Sequence, residues 1–201
     1  MKVPFDKFAS KYAFFLRFSN KPKKYYEAIK SAAKPKKEDE ILDVGGGTGM
    51  IADMFADDAK EVTILDPSEE MLKRIKSKRV KKVQGFAHKM PFRSKSFDVI
   101  YCTDAFHHFT NGMPEKDYDN IMDKAVKELL RVLKKDGVLV IVEFDADRFF
   151  GKCVKFFEKR IYKFGSHFLN KKKFTELFRK NKAEVKLSKL DSFCFIAEIK
   201  K

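Results

Sequence analysis

Residues 41–49 read ILDVGGGTG, an apolar run that leads directly into a glycine-rich loop. The run is long enough for a short buried strand. Glycine allows positive φ angles and lets a ligand approach the main chain closely. Many α/β proteins hold a nucleotide-like ligand where a strand, a glycine turn and a helix follow one another. The segment therefore predicts an α/β fold with a ligand site at the carboxyl end of this strand.

The spacing of the glycines narrows the choice of ligand. A dinucleotide fingerprint requires G-x-G-x-x-G, and counting from Gly45 the last position falls on Met50. A triphosphate loop requires Gly-Lys-Ser/Thr, which is absent from this segment. What remains is G-x-G-x-G with an acid, Asp43, just inside the strand. The alternative for the segment alone is a glycine turn without a ligand.

Strand and helix patterns alternate after this loop. Further strands are predicted at residues 61–65, 80–84, 97–102 and 138–143, the last apolar on both faces. Helices are predicted at residues 48–56, 68–78 and 117–133, with Ser68 as a cap and a turn at residues 134–137. This alternation predicts a parallel sheet covered by helices on both sides.

The end of the chain follows a different pattern. Residues 170–181 are predicted to form a helix capped by Asn170, and residues 183–187 and 193–199 form two strands joined by a short turn. A hairpin that closes an otherwise parallel sheet implies one antiparallel edge strand. We therefore predict a doubly wound α/β fold with a seven-stranded, mostly parallel sheet, one antiparallel edge strand and three layers (αβα).

Composition fits one domain with a basic surface. The chain has 201 residues, with 44 Lys and Arg against 29 Asp and Glu, for a net charge of +15. Such a charge favours anionic partners, but the lysines are scattered, which favours a role in solubility or thermostability. Three cysteines without C-x-x-C spacing argue against a disulfide framework or a zinc site. We expect a cytoplasmic protein, because no signal peptide or membrane-spanning run is evident.

Asp66 ends the second predicted strand, one strand beyond the glycine loop. A carboxylate there can accept hydrogen bonds from the two hydroxyls of a ribose. The alternative is an aspartate that begins a helix before Pro67. With the glycine loop correctly placed upstream, we favour the ribose-binding role.

Four blocks in order resemble the class I S-adenosylmethionine-dependent methyltransferases: residues 41–49, 63–72, 85–109 and 128–143. Within that group the chain is similar to the small-molecule branch that includes the ubiquinone/menaquinone biosynthesis methyltransferases. The resemblance covers residues 38–145 and implies a Rossmann-like fold with S-adenosylmethionine as cofactor and S-adenosylhomocysteine as product. It divides a single domain, 1–201, into an N-terminal helical lid (1–36), a cofactor-binding core (37–145) and a substrate-lid helix, final helix and hairpin (146–201).

The resemblance also implies roles for individual residues. The glycine loop receives the methionine part of the cofactor and Asp43 orients that loop. Asp66 binds the ribose, Pro67 and Met71 pack near the adenine, and Cys102 offers its backbone carbonyl. We interpret the Cys102 side chain as a small buried apolar group rather than a nucleophile. The complete set of cofactor-binding candidates is Tyr12, Asp43, Gly45, Gly46, Gly47, Thr48, Gly49, Asp66, Pro67, Met71, Phe86, Ala87, His88 and Cys102.

One position departs from the family pattern. Similar proteins commonly carry G-D-A-[ED] where this chain has GFAH at residues 85–88. The usual aspartate would accept a hydrogen bond from the adenine amine, which Phe86 cannot do. We expect adenine to be held by stacking on Phe86 and by backbone groups at Ala87 and His88.

Catalytic candidates follow the fourth strand, where open sheets place their sites. They are His107, as the first choice for a general base, then Asp104 and His108. Methyl transfer from a sulfonium depends mostly on alignment, and a base is needed only when the acceptor must lose a proton. Consecutive histidines face different directions, so at most one is expected in the cleft. We expect no metal site, because no third ligand is evident at suitable spacing.

The basic, aromatic segment from Arg148 to His167 is predicted to form an amphipathic helix, with Phe149, Phe156, Phe157 and Phe164 near helical spacing. It could cover the acceptor cleft, contact an anionic membrane or cap the sheet, and we favour the cover. The expected acceptor is a small apolar or aromatic molecule.

The alternatives to a small-molecule methyltransferase are an RNA or protein methyltransferase and a cofactor-binding regulatory or scaffold protein that does not catalyse. The net charge supports the first alternative, but the chain carries Cys-Thr-Asp-Ala after the fourth strand rather than an N/D-P-P-Y tetrapeptide. We expect a monomer or a homodimer.

Overall fold

The computed structural model describes residues 20–156, 158 and 165–201. Several predicted positions lie outside these residues, including the part of the predicted N-terminal lid before residue 20, with its candidate Tyr12. The same holds for Phe157 and Phe164 of the basic aromatic segment. No helix within the described residues is both long and apolar enough to cross a lipid bilayer.

Seven strands in the described part of the chain form one sheet, in the order β3-β2-β1-β4-β5-β7-β6. The first five strands are mutually parallel, whereas β7 lies antiparallel between β5 and the outermost strand β6. The predicted α/β fold is therefore confirmed, with the antiparallel pairing at the predicted end of the sheet. The strands are β1 (Glu40–Val44), β2 (Glu61–Asp66), β3 (Val80–Gln84), β4 (Phe97–Thr103), β5 (Leu133–Phe144), β6 (Glu184–Lys189) and β7 (Cys194–Lys200).

Helices cover both faces of the sheet. Two predicted caps are present: Ser68 Oγ accepts the Met71 N–H at 3.1 Å, and Asn170 Oδ1 accepts the Lys173 N–H at 2.9 Å. Such caps satisfy backbone donors that the first turn of a helix leaves free. The helices are α1 (Lys21–Ala33), α2 (Met50–Phe55), α3 (Glu69–Lys73), α4 (Tyr118–Val132), α5 (Phe149–Phe156) and α6 (Lys171–Lys180).

The core consists of two apolar layers, one on each face of the sheet. In β1, Ile41 packs into the layer beneath α1 and α2, and the next residue, Leu42, packs into the layer beneath α4 and α6. Successive strand side chains point to opposite faces, so a run that is buried on both sides must be apolar throughout. This explains why residues 138–142 of the central strand β5, which are all buried, are all apolar.

Some boundaries differ from the sequence prediction. The turn predicted at residues 134–137 lies inside β5, which begins at Leu133 and pairs there with Phe97. The register then shifts, so that Val138 pairs with Val99 and the intervening residues form a bulge. The helix predicted at residues 68–78 ends as α3 at Lys73. Polar residues of the bulge resemble a turn in sequence because both leave side chains in solvent.

The chain order creates the site. From β1 the chain moves outward through β2 and β3, then returns to form β4 and β5 on the other side of β1. Loops that leave β1 and β4 therefore diverge and open a crevice at the carboxyl ends of these strands. The glycine loop, Asp66 and the segment after β4 all begin at this edge.

Candidate active site

A cleft of about 800 Å³, including space open to solvent, lies at the carboxyl ends of β1, β2 and β4. Two walls face each other across it. One consists of the end of β2, the start of α3 and the loop after β3, and the other is the segment that follows β4. Seven of the predicted cofactor-binding residues line this cleft: Gly45, Gly47, Asp66, Pro67, Met71, Phe86 and Ala87.

A second pocket of about 470 Å³ adjoins the cleft at the glycine loop. Its wall includes Asp43, Gly46 and Thr48, together with Lys21 and Tyr25 from the first turns of α1. The cleft and the pocket share Gly45, Gly47, Thr103 and Asp104. An elongated ligand could therefore extend from one into the other across the loop.

The glycine loop is shaped by close backbone approaches. Gly45 has φ +74°, and a Cβ there would lie 2.5 Å from Cβ of Ala105. A Cβ on Gly46 would lie 2.6 Å from the carboxyl group of Asp43. Any side chain at either position would displace the β4 loop or the buried acid. Glycine is therefore required at these two positions because a side chain would clash inside the protein, and not only because a ligand must approach the loop from the cleft.

Asp66 joins the glycine loop to the residue that caps α3. Its Oδ2 accepts the Gly47 N–H at 2.9 Å, and its Oδ1 accepts the Ser68 N–H at 2.8 Å. Each carboxylate oxygen has two lone pairs, so both oxygens can accept a further hydrogen bond from a ligand. The acid therefore holds the glycine loop in place and still faces the cleft.

Asp43 is only 2% exposed and lies directly beneath the glycine loop. Its Oδ1 has no hydrogen-bond partner among the described residues. Burial raises the pKa of Asp43 to about 8. An unsatisfied buried carboxyl beside a pocket is costly for the protein and is suited to a cationic ligand.

Asp104 adopts a left-handed conformation, with φ +49°, immediately after β4. The Tyr25 hydroxyl donates to its Oδ1 at 3.0 Å, and Lys21 forms an ion pair with its Oδ2. Burial raises the pKa of Asp104. These contacts bring α1 to the edge of the cleft and place a cation and a carboxylate side by side.

The two consecutive histidines face different surroundings. His108 lines the cleft with Phe109 and Asn111. His107 is 1% exposed and is absent from the cleft wall, and its ring stacks on Phe168 at 4.3 Å between centroids. The expectation that only one of the pair reaches the cleft agrees with this placement, but the residue that does so is His108, not the first-choice base.

Four other candidates are not among the residues that line either pocket: Gly49, His88, Cys102 and His107. Gly49 precedes α2 with φ +74°. The His88 ring lies 5.3 Å from the Phe86 ring, behind the wall. Cys102 is fully buried, and burial raises the pKa of its thiol well above the usual value. Its neighbour Thr103 lines both pockets instead.

Lys21, Tyr25 and Asn111 are site residues that the sequence did not reveal. Lys21 is one of 44 basic residues, and Tyr25 fits the apolar stripe of a helix. Neither side chain lies near a motif in the sequence, because α1 reaches the cleft only through its packing on the sheet. Asn111 could have been noticed as the polar residue that follows His107 and His108.

The expectation of no metal site depended on the absence of a third ligand near the histidines. In the fold, Glu158 supplies one: ligand atoms of His107, His108 and Glu158 lie within 4.8 Å of one another. The sequence concealed this because Glu158 is an isolated acid in a basic segment.

Comparisons with known proteins identify the family. A family model described as a methyltransferase domain matches residues 42–141. The uncharacterized methyltransferase YcgJ of Bacillus subtilis is 34% identical over 118 residues, a match that spans 55% of this chain and 43% of YcgJ. The ubiquinone/menaquinone biosynthesis C-methyltransferase UbiE of Campylobacter jejuni is 30% identical over 177 residues, 82% of this chain and 70% of that protein.

The fold agrees with these relatives. A solved S-adenosylmethionine-dependent methyltransferase of Thermotoga maritima superimposes with a TM-score of 0.72 at 22% identity, over 98% of this chain and 99% of that one. The chain therefore belongs to the class I S-adenosylmethionine-dependent methyltransferases. Within that class it is similar to the UbiE group, and S-adenosylmethionine is the cofactor that the family implies.

Proposed function

We propose that this protein transfers a methyl group from S-adenosylmethionine to a small apolar or aromatic acceptor. The observation that carries the proposal is the cleft itself, in which Asp66 and Phe86 form one wall and His108 and Phe109 form the other. Methyl transfer requires the cofactor and the acceptor to be held in line across such a space.

The two adjoining pockets suggest which part of the cofactor each of them would hold. Asp66 would accept hydrogen bonds from the ribose hydroxyls at the shared boundary. The methionine part carries both an ammonium and a carboxylate, and the second pocket offers Asp43 for the former and Lys21 for the latter. The adenine would then lie against Phe86 and Met71 in the larger cleft.

Adenine recognition by Phe86 can be tested directly. A Phe86→Asp variant provides the acceptor for the adenine amine that this chain lacks, and we expect it to bind S-adenosylmethionine several-fold more tightly by calorimetry. An Asp66→Asn variant serves as the opposite control and should bind at least about tenfold more weakly, because an amide also presents donors to the ribose hydroxyls. A Phe86→Asp variant that binds no better than the wild type would show that stacking and backbone contacts already suffice.

The methyl transfer needs little from the residues beside the acceptor other than that they position it. Methyl transfer from a sulfonium is an in-line displacement, so alignment supplies most of the rate enhancement. Burial and the neighbouring His107 lower the pKa of His108 to about 3, which keeps its ring neutral. We propose that His108 orients the acceptor, whereas His107 supports it from behind the wall.

The acceptor class follows from the aromatic lining and from the relatives. Phe109 lines the wall opposite Phe86, and a flat acceptor would stack on its ring. UbiE is named for ubiquinone and menaquinone biosynthesis, and an aromatic precursor of a quinone is the acceptor that this similarity favours. The helix α5, with Phe156 59% exposed, begins the basic segment that we propose covers the acceptor.

Labelled methyl transfer into fractionated cell lysate tests the proposal. We expect the label from S-adenosylmethionine to enter an organic-soluble small molecule and to be lost in an Asp66→Asn variant. Label found only in protein would contradict the proposed acceptor. Tight cofactor binding without transfer into any fraction would favour a regulatory or scaffold role.

An RNA acceptor is the second candidate, and the net charge of +15 is the observation that favours it. Phosphate contacts make binding strongly dependent on salt. RNA that binds at low salt, is released by heparin and receives the labelled methyl group would support this candidate over the small-molecule acceptor.

A further inference from the structure

Three side chains converge at the wall of the cleft that follows β4. Nε2 of His107 lies 3.5 Å from Oε1 of Glu158, and Nε2 of His108 lies 3.7 Å from the same oxygen. The two imidazole rings are close, with centroids 3.9 Å apart. Two histidines and a carboxylate form a donor set that divalent transition metals favour.

His107 is oriented as a metal ligand would be. Glu143 Oε2 accepts from Nδ1 of His107 at 2.7 Å and from its backbone N–H at 3.2 Å. Because a carboxylate only accepts, Nδ1 carries the proton and Nε2 offers its lone pair when the ring is neutral. Nε2 is buried and has no hydrogen-bond partner among the described residues. A carboxylate behind a ligating histidine is a recurrent arrangement in metal sites.

The surroundings of His108 allow the same role. Its Nδ1 lies 3.0 Å from Ser166 Oγ and 3.3 Å from Nδ2 of Asn111. The Asn111 Oδ1 is buried and makes no hydrogen bond within the described residues. Turning this amide by 180° would place Oδ1 where it accepts from Nδ1, which leaves Nε2 of His108 as the lone-pair donor. The turned amide satisfies an atom that is otherwise without a partner.

The charges near His107 also favour a cation. Glu143 and Glu158 approach His107 from opposite sides of its ring, and both side chains are largely buried. A divalent ion between these groups would balance the negative charge of both carboxylates. Oε2 of Glu158 also has no hydrogen-bond partner among the described residues.

We propose that His107, His108 and Glu158 bind one divalent transition-metal ion, with Glu143 holding His107 from behind. The observed ligand separations of 3.5 and 3.7 Å are close to the roughly 3.3 Å expected for neighbouring ligands in a tetrahedral zinc site. Three protein ligands leave at least one position for a further ligand.

The location of the site suggests what the ion would do in the reaction, an inference that depends on the proposed function. His108 lines the cleft, so an ion on its Nε2 would lie beside the acceptor space. An oxygen of the acceptor, such as a phenolic hydroxyl, is the donor suited to the remaining position. His108 would then orient the acceptor through the ion.

Metal binding by the full-length protein tests the site without any assay of activity. After dialysis against a chelator, the protein would be titrated with Co²⁺, followed by visible absorption, and with Zn²⁺, followed by calorimetry and metal analysis. We expect one equivalent to bind to the wild type. A Glu158→Gln variant should bind at least about tenfold more weakly. A His167→Gln variant is the matched control, because the His167 ring contacts Asp119, and the backbone N–H that donates to the His107 carbonyl is kept in the variant; its affinity for the metal should be unchanged.

The outcomes separate this proposal from the proposed function. Folded wild type that binds no Zn²⁺ in stoichiometric amount would overturn the metal site, as would equal affinity in Glu158→Gln. S-adenosylmethionine affinity, measured on the same chelator-treated samples, reports on the function alone. A protein that binds one Zn²⁺ but no S-adenosylmethionine would retain the metal site and lose the proposed function.

Discussion

Asp43 and Asp66 end adjacent strands, yet their environments differ sharply. Asp66 accepts two backbone N–H groups and faces the cleft. Asp43 lies beneath the glycine loop with one oxygen unsatisfied. The hydrogen bonds of Asp66 stabilise the fold, whereas the buried carboxylate of Asp43 destabilises it when it is ionised. A cationic group of the cofactor would offset that cost when it binds.

We expect Asp43→Asn to stabilise the cofactor-free protein and to weaken cofactor binding. The folded pKa of about 8 lies above the ordinary value of 3.8, so the ionised carboxylate destabilises the folded state. Wild-type stability should therefore fall as the pH rises from about 4 to about 8. The variant should remove this dependence and gain about 1–3 kcal/mol at pH 8, while its affinity for S-adenosylmethionine drops at least about tenfold. Urea unfolding at several pH values and calorimetry measure the two effects.

Asp58 provides a control of opposite sign. Despite partial burial, hydrogen bonds from Lys30 and Tyr26 hold the pKa of Asp58 below its usual value. Asp58→Asn should therefore lose stability at neutral pH and leave cofactor binding unchanged. If Asp43→Asn also loses stability across the whole pH range, the carboxylate of Asp43 is not the destabilising group inferred here.

At the scale of elements, helix α4 fixes the loop that carries Phe86. Glu128 accepts the Met90 N–H at 2.7 Å, and Arg131 donates to the Phe92 carbonyl at 2.8 Å. The two side chains also pair with each other, at 2.6 Å between Nε of Arg131 and Oε1 of Glu128. One helical turn thus holds a loop that has few backbone partners of its own. Any motion of this loop would alter the wall of the cleft that Phe86 and Ala87 line.

We expect Arg131→Met to reduce stability by about 1–2 kcal/mol, because backbone carbonyls of the loop lose a charged donor. The affinity for S-adenosylmethionine should fall as well, since the loop bears Phe86 and Ala87. Lys127→Met on the same helix is the matched control: Lys127 is largely exposed, and its partner Asp123 keeps Lys180 and Asn181 as partners, so the change should cost less than about 0.5 kcal/mol. Unchanged cofactor affinity in Arg131→Met would show that the loop keeps its shape without this contact.

At the scale of the whole molecule, the net charge of +15 opposes the compact state. Like charges spread over one domain repel one another, and salt screens this repulsion within about 10 Å at 0.1 M. We expect the melting temperature to rise by several degrees between about 0.01 M and about 0.15 M NaCl. Thermal unfolding by circular dichroism measures the shift. A melting temperature that falls over this range would mean that the surface ion pairs outweigh the repulsion.

The sequence by itself determined the fold class and the motifs from which the cofactor site is predicted. The strand, the glycine turn and Asp66 are encoded within 26 residues, and alternation of apolar residues specified which strands are buried on both faces. Such features can be predicted from the sequence because backbone conformation and burial depend on neighbours a few positions apart. The bulge in β5 was mistaken for a turn because both are polar and both contain glycine.

Only the tertiary structure decided which distant side chains come together around the cleft and the second pocket. Lys21 reaches the second pocket because α1 packs on the sheet, and His108 rather than His107 faces the cleft because of the single turn that follows β4. Glu158 meets two histidines that precede it by about fifty residues. The side chains of such a site are joined by packing between distant segments, and no periodic or local pattern in the chain records which distant side chains will meet.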